Sequence, residues 1–120
     1  MILVDSSIWI DHFRQPDFRL AALLNNARVL THAFVIGELA LGNFINRNMA
    51  LSLLRGLPRA PLADNDEVME LIDRQSLFGA GIGYVDAHLL ASALLATPAS
   101  LWTRDKRLQE VAERLEISIR

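Results

Sequence analysis

The sequence has no cysteine, one lysine and one tyrosine. Without cysteine it can hold no disulfide framework, no thiolate-bound zinc and no thiol chemistry. That fits the cytoplasm, the compartment expected for this chain. Long apolar runs are missing too. The longest, residues 89–96, is broken by Ser92 and falls far short of the ~20 residues of a membrane helix. The first residues, Met1-Ile2-Leu3-Val4-Asp5, carry no basic region and meet an acid at once, unlike a signal peptide. No membrane partner is expected. Acids are absent from residues 39–63, a stretch that holds Arg47, Arg55 and Arg59. The scarcity of lysine leaves eleven arginines as the cations, and arginine offers a two-pronged fork to phosphate.

What is present is enough chain for one domain, 120 residues, of which 52% are hydrophobic. A chain of this size buries about two-thirds of its unfolded surface, so it builds a core without staples. Such apolar content excludes a disordered chain and leaves apolar surface over for a partner. A net charge of −2 argues against a generic nucleic-acid coat protein, which would be strongly basic.

Ile2-Leu3-Val4 reads as a short buried strand, and Asp5-Ser6-Ser7 can cap a helix over 7–13. Phe18, Leu20, Leu23 and Leu24 suggest a second short helix. A strand over 28–31 follows, then helices over 33–44 and 46–56, the latter stopped by Gly56 and Pro58. Pro58 and Pro61 flank a weak extended piece at 59–62. The cluster Asp64-Asn65-Asp66 opens a helix to about 76. A glycine loop at 79–83 leads into an apolar helix over 84–96. A strand at 100–103, an amphipathic helix over 105–115 and an edge strand at 117–119 complete the chain. Strands alternating with helices predict an α/β fold, a parallel sheet with helices on both faces. Ligands in such folds sit beyond the C-terminal ends of the strands.

Two acids stand at those ends: Asp5 after the first strand and Asp105 after the strand at 100–103. Two more sit on apolar helices. Glu38 is the only charged residue in 33–44, and its neighbours three and four away are Phe34, Val35, Leu41 and Gly42. Asp86 is followed at those spacings by Leu89 and Leu90. A buried, unpaired carboxylate is costly or takes up a proton. A salt bridge or a helix cap would explain any one of them, and a first-turn place at the helix dipole suits Asp86. Four acids placed this way point instead to a shared cation. Hard oxygen ligands select Mg²⁺ or Mn²⁺.

Four segments carry a family resemblance: Val4-Asp5-Ser6-Ser7-Ile8-Trp9-Ile10-Asp11, Gly37-Glu38-Leu39-Ala40-Leu41-Gly42, Ile82-Gly83-Tyr84-Val85-Asp86-Ala87-His88-Leu89-Leu90-Ala91-Ser92-Ala93, and Leu101-Trp102-Thr103-Arg104-Asp105-Lys106-Arg107-Leu108. In this order they resemble the PIN domain and, more closely, the VapC toxins of bacterial toxin–antitoxin pairs. The resemblance covers the whole chain, residues 1–120, as a single PIN domain. It implies a Rossmann-like three-layer sandwich whose mostly parallel sheet has the order 3-2-1-4-5. It also implies a metal-dependent ribonuclease that hydrolyses RNA phosphodiester bonds and leaves 5′-phosphate and 3′-hydroxyl ends. Asp5, Glu38, Asp86 and Asp105 would be the catalytic and metal-binding acids. Ser7 and Thr103 would orient ligands or water. The partners implied are RNA, a cognate antitoxin and a second copy of the chain.

The chemistry suits these residues. Phosphodiester hydrolysis needs an activated water and neutralised phosphate charge, which one ion supplies, or two about 3.5–4 Å apart. No nucleophile–base pair is visible. With the four acids set aside, ten acids face twelve bases, so the remaining surface is slightly basic. Arg104, Lys106 and Arg107 flank Asp105 as candidate RNA contacts, or simply as a solvated helix start. A phosphoacceptor receiver domain is excluded, because Asp5 is followed by Ser6-Ser7 and no acid lies within 39–63. A PIN-like fold kept only as an inactive binding module is the alternative. The glycine loop follows a helix, not a first strand, so it reads as a turn and not a dinucleotide site. His12, His32 and His88 lack metal-ligand spacing and are expected on the surface. Trp9 and Trp102 are expected in the core, and Asp11 in solvent.

Overall fold

The computed structural model describes residues 1–119. Three short strands, β1 (Ile2–Val4), β2 (Val29–Leu30) and β3 (Ser100–Trp102), form a parallel sheet in the order β2-β1-β3. Leu3 lies opposite Leu30 on one side and Leu101 on the other. Neighbouring residues in a strand point to opposite faces. Leu3 and Val4 are both fully buried, as are Leu101 and Trp102 nearly so, which means both faces of the sheet are covered. The connections are helical: α1 (Ser6–Arg14), α2 (Phe18–Asn25), α3 (Ala33–Ala40), α4 (Arg47–Arg55), α5 (Asn65–Arg74), α6 (Tyr84–Leu95) and α7 (Lys106–Arg114).

The sheet differs from the five-stranded expectation. Where outer strands were expected, the described residues form single parallel bridges, Thr31 with Arg59 and Leu101 with Ser118. Thr31 donates to the Pro58 carbonyl (2.9 Å) and accepts from the Ala60 amide (2.8 Å). Pro58 has no N–H to give on one side, and on the other the chain enters α3 at Ala33, so the pairing stays a single bridge. On the opposite edge, Leu101 donates to Ile117 O (2.7 Å) and accepts from Ile119 (3.2 Å). The chain reaches it from α7 through Glu116, whose φ of 61° makes the turn tight.

Helix α3 stops at Ala40, four residues before the sequence suggests, ahead of Gly42. Residues 87–93 of α6 are all buried, which explains a helix apolar all round. Trp9 and Trp102 lie in the core as expected. The histidines correct the sequence reading. His32 and His88 are buried, and His12 is half-buried. His32 caps α3: its Nδ1 accepts the Phe34 amide (3.0 Å), which leaves Nε2 to carry the proton toward Ser92 Oγ (2.9 Å). Burial, with the His88 ring beside it, lowers the His32 pKa to about 4. No helix among the described residues is long and apolar enough to cross a membrane.

Candidate active site

The ends of β1 and β3 meet at Asp5. Its amide extends the β1–β3 ladder by donating to Trp102 O (2.9 Å), which fixes the residue where α1 begins. Its carboxylate caps that helix, with Oδ1 accepting the Ser6 amide (2.8 Å). Oδ2 accepts the hydroxyls of Thr103 (2.7 Å) and Ser7 (3.2 Å). Asp5 is 6% exposed, so a buried carboxylate is held by the Ser6 amide and the Thr103 and Ser7 hydroxyls, with the Ser6 hydroxyl more distant.

Thr103 and Ser7 pass the connection on. Thr103 Oγ1 accepts the Asp105 amide (3.1 Å), and Ser7 Oγ accepts the Arg104 amide (3.1 Å). Each hydroxyl thus donates to Asp5 and accepts from the segment that carries Asp105. Asp105 itself caps α7 by accepting the Leu108 amide (3.0 Å), and it is exposed.

Glu38 comes from α3 and Asp86 from the first turn of α6. Ser6 Oγ lies 3.4 Å from both Asp5 Oδ1 and Glu38 Oε1, joining the first two acids. Asp86 Oδ2 accepts the Gly83 amide (3.0 Å) at the start of α6. The degree of burial expected for the helix acids is corrected here. Glu38 is exposed beside exposed Phe34 and Leu41, and Asp86 is half-buried.

Both carboxyls are nonetheless pushed up from the usual range. For Glu38 partial burial is the main cause, followed by the charges of Asp5 and Asp86, with the Ser6 hydroxyl pulling the other way. For Asp86 partial burial again leads, the Gly83 amide opposes it, and the charges of Asp5 and Asp105 add to it. Asp86 therefore lies within electrostatic reach of the other three acids. They do not form a cage: among the described residues no three His, Asp or Glu side chains converge closely enough to hold one ion by themselves. The donor set still fits a hard cation. It is all oxygen, and Mg²⁺ keeps several waters while taking one or two carboxylates.

The cations beside Asp105 separate. Arg104, a candidate RNA contact from sequence, turns away: Nε donates to Asp11 (2.7 Å) and Nη2 to Asp17 (3.2 Å). Asp11 is accordingly an ion-pair partner and not a free solvated acid. Lys106 and Arg107 are exposed, with no ion pair among the described residues. Sequence reading missed Ser6, whose only signal was its place between two residues already singled out. It also missed the Asp17–Arg104 pair, which a sequence separation of 87 hides.

Residues 2–114 match the family model of the PIN domain. The chain is also 50% identical, over 109 residues, to Ribonuclease VapC32 of Mycobacterium tuberculosis in two strains. That match covers 91% of this chain and 88% of the relative. The chain belongs to the PIN-domain family, and within it the chain is VapC-like.

Proposed function

We propose that this chain, as one PIN domain over residues 1–120, is a Mg²⁺- or Mn²⁺-dependent endoribonuclease and the toxin of a toxin–antitoxin module. The observation that carries the reading is the placement of Asp5, Glu38, Asp86 and Asp105 around the ends of β1 and β3, with Asp86 within electrostatic reach of the other three. Its support from outside is the 50% identity to a protein named as a ribonuclease.

When bound, the metal supplies an activated water and neutralises charge on the phosphate. Asp5, locked by Thr103, Ser7 and the Ser6 amide, is the rigid ligand. Glu38 is the less constrained one, its only side-chain hydrogen bond among the described residues being the long one to Ser6. Asp86 and Asp105 would hold the metal or its waters with their remaining oxygens, from two helix starts. Thr103 and Ser7 keep Asp5 oriented.

The partners follow from the surface. Leu41, Ile45, Met49 and Leu53 are exposed on and before α4, on the acid-free segment that carries Arg47 and Arg55. An antitoxin segment with apolar and acidic residues fits this face, and a second copy of the chain fits an apolar patch of the same kind. The chain works in the cytoplasm, where RNA is its substrate. Incubation with structured RNAs, with Mg²⁺ or with EDTA, tests the activity. Cleavage that EDTA abolishes is expected, and cleavage that survives EDTA overturns the mechanism. A PIN-like binding module without catalysis would show neither cleavage nor Mg²⁺ binding.

A further inference from the structure

The loop 79–83, set aside from sequence as a turn, is the seat of an arginine. Gly81 has a φ of +80°, and a Cβ built on it would lie 2.3 Å from Nη1 and 2.6 Å from Cδ of Arg107. The Arg107 side chain therefore lies directly on the bare backbone of Gly81, a place that only glycine leaves open. Its guanidinium makes no salt bridge or hydrogen bond with any other described side chain, unlike Arg104. The contact joins the first turn of α7, capped by Asp105, to the loop whose Gly83 amide holds Asp86.

The same loop begins at an unpartnered aromatic ring. Phe78 is 69% exposed, while its neighbour Leu77 is buried. Phe78, Ile82, Tyr84 and Ala87 border a hollow of about 230 Å³. Tyr84 is fixed there by its hydroxyl on Asn65 and by its edge-to-face contact with His88, 4.7 Å between centroids. A guanidinium seated on the loop from α7 and an exposed ring just before that loop, beside a carboxylate site, match the two faces of a nucleotide. Phosphate takes the fork, and a base of any identity stacks on the ring.

Building on the ribonuclease reading, we propose that Phe78 and Arg107, the latter seated on Gly81, form a subsite for one nucleotide of single-stranded RNA flanking the bond that is cut. Arg107 contacts a phosphate and Phe78 stacks a base. The subsite sets RNA affinity and not metal affinity.

Steady-state cleavage of a labelled single-stranded RNA in Mg²⁺, at several salt concentrations, tests it, with Mg²⁺ affinity measured separately by calorimetry. Phe78→Ala is expected to raise KM at least about fivefold with kcat little changed. Phe78→Trp should restore it. Arg107→Ala is expected to raise KM and to flatten the salt dependence of log(kcat/KM) by about 0.7, the effect of one lost phosphate contact on a single strand. Gly81→Ala should raise KM in the wild type and add nothing in the Arg107→Ala background. Because alanine is strained at this φ, thermal melts accompany the cycle, and the Phe78 and Arg107 variants decide the outcome alone if Gly81→Ala unfolds. Unchanged KM and salt slope in the Phe78 and Arg107 variants, alongside a wild type that cuts RNA, overturn the subsite only. Parallel losses of Mg²⁺ affinity would make these residues part of the metal site and also overturn it. A wild type that does not cut RNA overturns the ribonuclease reading and the subsite with it.

Discussion

Thr103 donates its hydroxyl proton to Asp5 Oδ2 across 2.7 Å and accepts the Asp105 amide with the same oxygen. One side chain thereby ties two of the proposed ligands together and supports a buried carboxylate. Thr103→Val keeps the shape and removes the donor. It should destabilise the protein by about 1.5–3 kcal/mol, the usual worth of a hydrogen bond to a charged group. Cleavage should fall with it. Thr103→Ser should recover most of both. Urea unfolding of the three proteins in EDTA provides the check.

Asp86→Asn should abolish cleavage and leave the metal-free protein at least as stable at pH 7. The amide oxygen can still accept from Gly83, and a charge repelled by Asp5 and Asp105 is gone. Mg²⁺ should raise Tm more in the wild type than in the variant. Strong destabilisation in EDTA, with equal Mg²⁺ shifts, would reduce Asp86 to a helix cap.

Glu38 gives the cleaner pH experiment, because it caps nothing. Its carboxyl is raised in the folded state, so the metal-free fold binds more protons than the unfolded chain between the unfolded value near 4 and the raised one. Stability falls as pH rises through that window, and the cost is complete at neutral pH. Glu38→Gln should therefore gain stability relative to wild type as pH climbs from 4 to 7 in EDTA. Melting curves at half-unit pH steps would show the two profiles diverging. Parallel profiles would mean that the site does not crowd Glu38.

His32 acts in the opposite direction. Its imidazole is depressed to about 4, so the unfolded chain takes up the proton first as pH drops below the ordinary value of 6.5. The stability it confers is whole above 6.5 and drains away as pH falls toward 4, on the order of 2–4 kcal/mol in all. His32→Asn keeps a capping side chain without a titrating ring. It should flatten the acid limb of the denaturation profile measured between pH 4 and 7.

Arg104→Ala removes two partly exposed ion pairs and should cost less than about 1 kcal/mol. The salt dependence of RNA cleavage should stay as in the wild type, since this guanidinium already faces Asp11 and Asp17. A flattened salt slope would return Arg104 to the RNA-contacting set.

Strands β1 to β3 and the grouping of Asp5, Glu38, Asp86 and Asp105 were legible because each rests on local signals: an apolar triplet before Asp5, a Thr-Arg-Asp after the β3 pattern, a lone acid on each of two apolar helices. Exposure was not legible. Glu38 sits among Phe34 and Leu41, which read as core neighbours, but both are themselves exposed. An apolar residue on a helix says nothing about whether another element covers it. The buried histidines were missed for the converse reason, since the contacts of His32 with Ser92 and of His88 with Phe34 form only through the fold. The outer member around Arg59 shrank to a bridge because Pro58 has no N–H to extend the pairing.

The helix-capping roles of Asp5, Asp86 and Asp105 make the four acids unequal under mutational drift. A random change at Asp5 strikes the junction of β1, β3 and α1, and the damaged chain is more readily cleared than tolerated. Changes at Asp86 or Asp105 loosen a helix start. Glu38 alone carries no architectural duty. Disarmed descendants that still fold, and still occupy whatever partner neutralises them, should therefore be found disproportionately with Glu38 replaced.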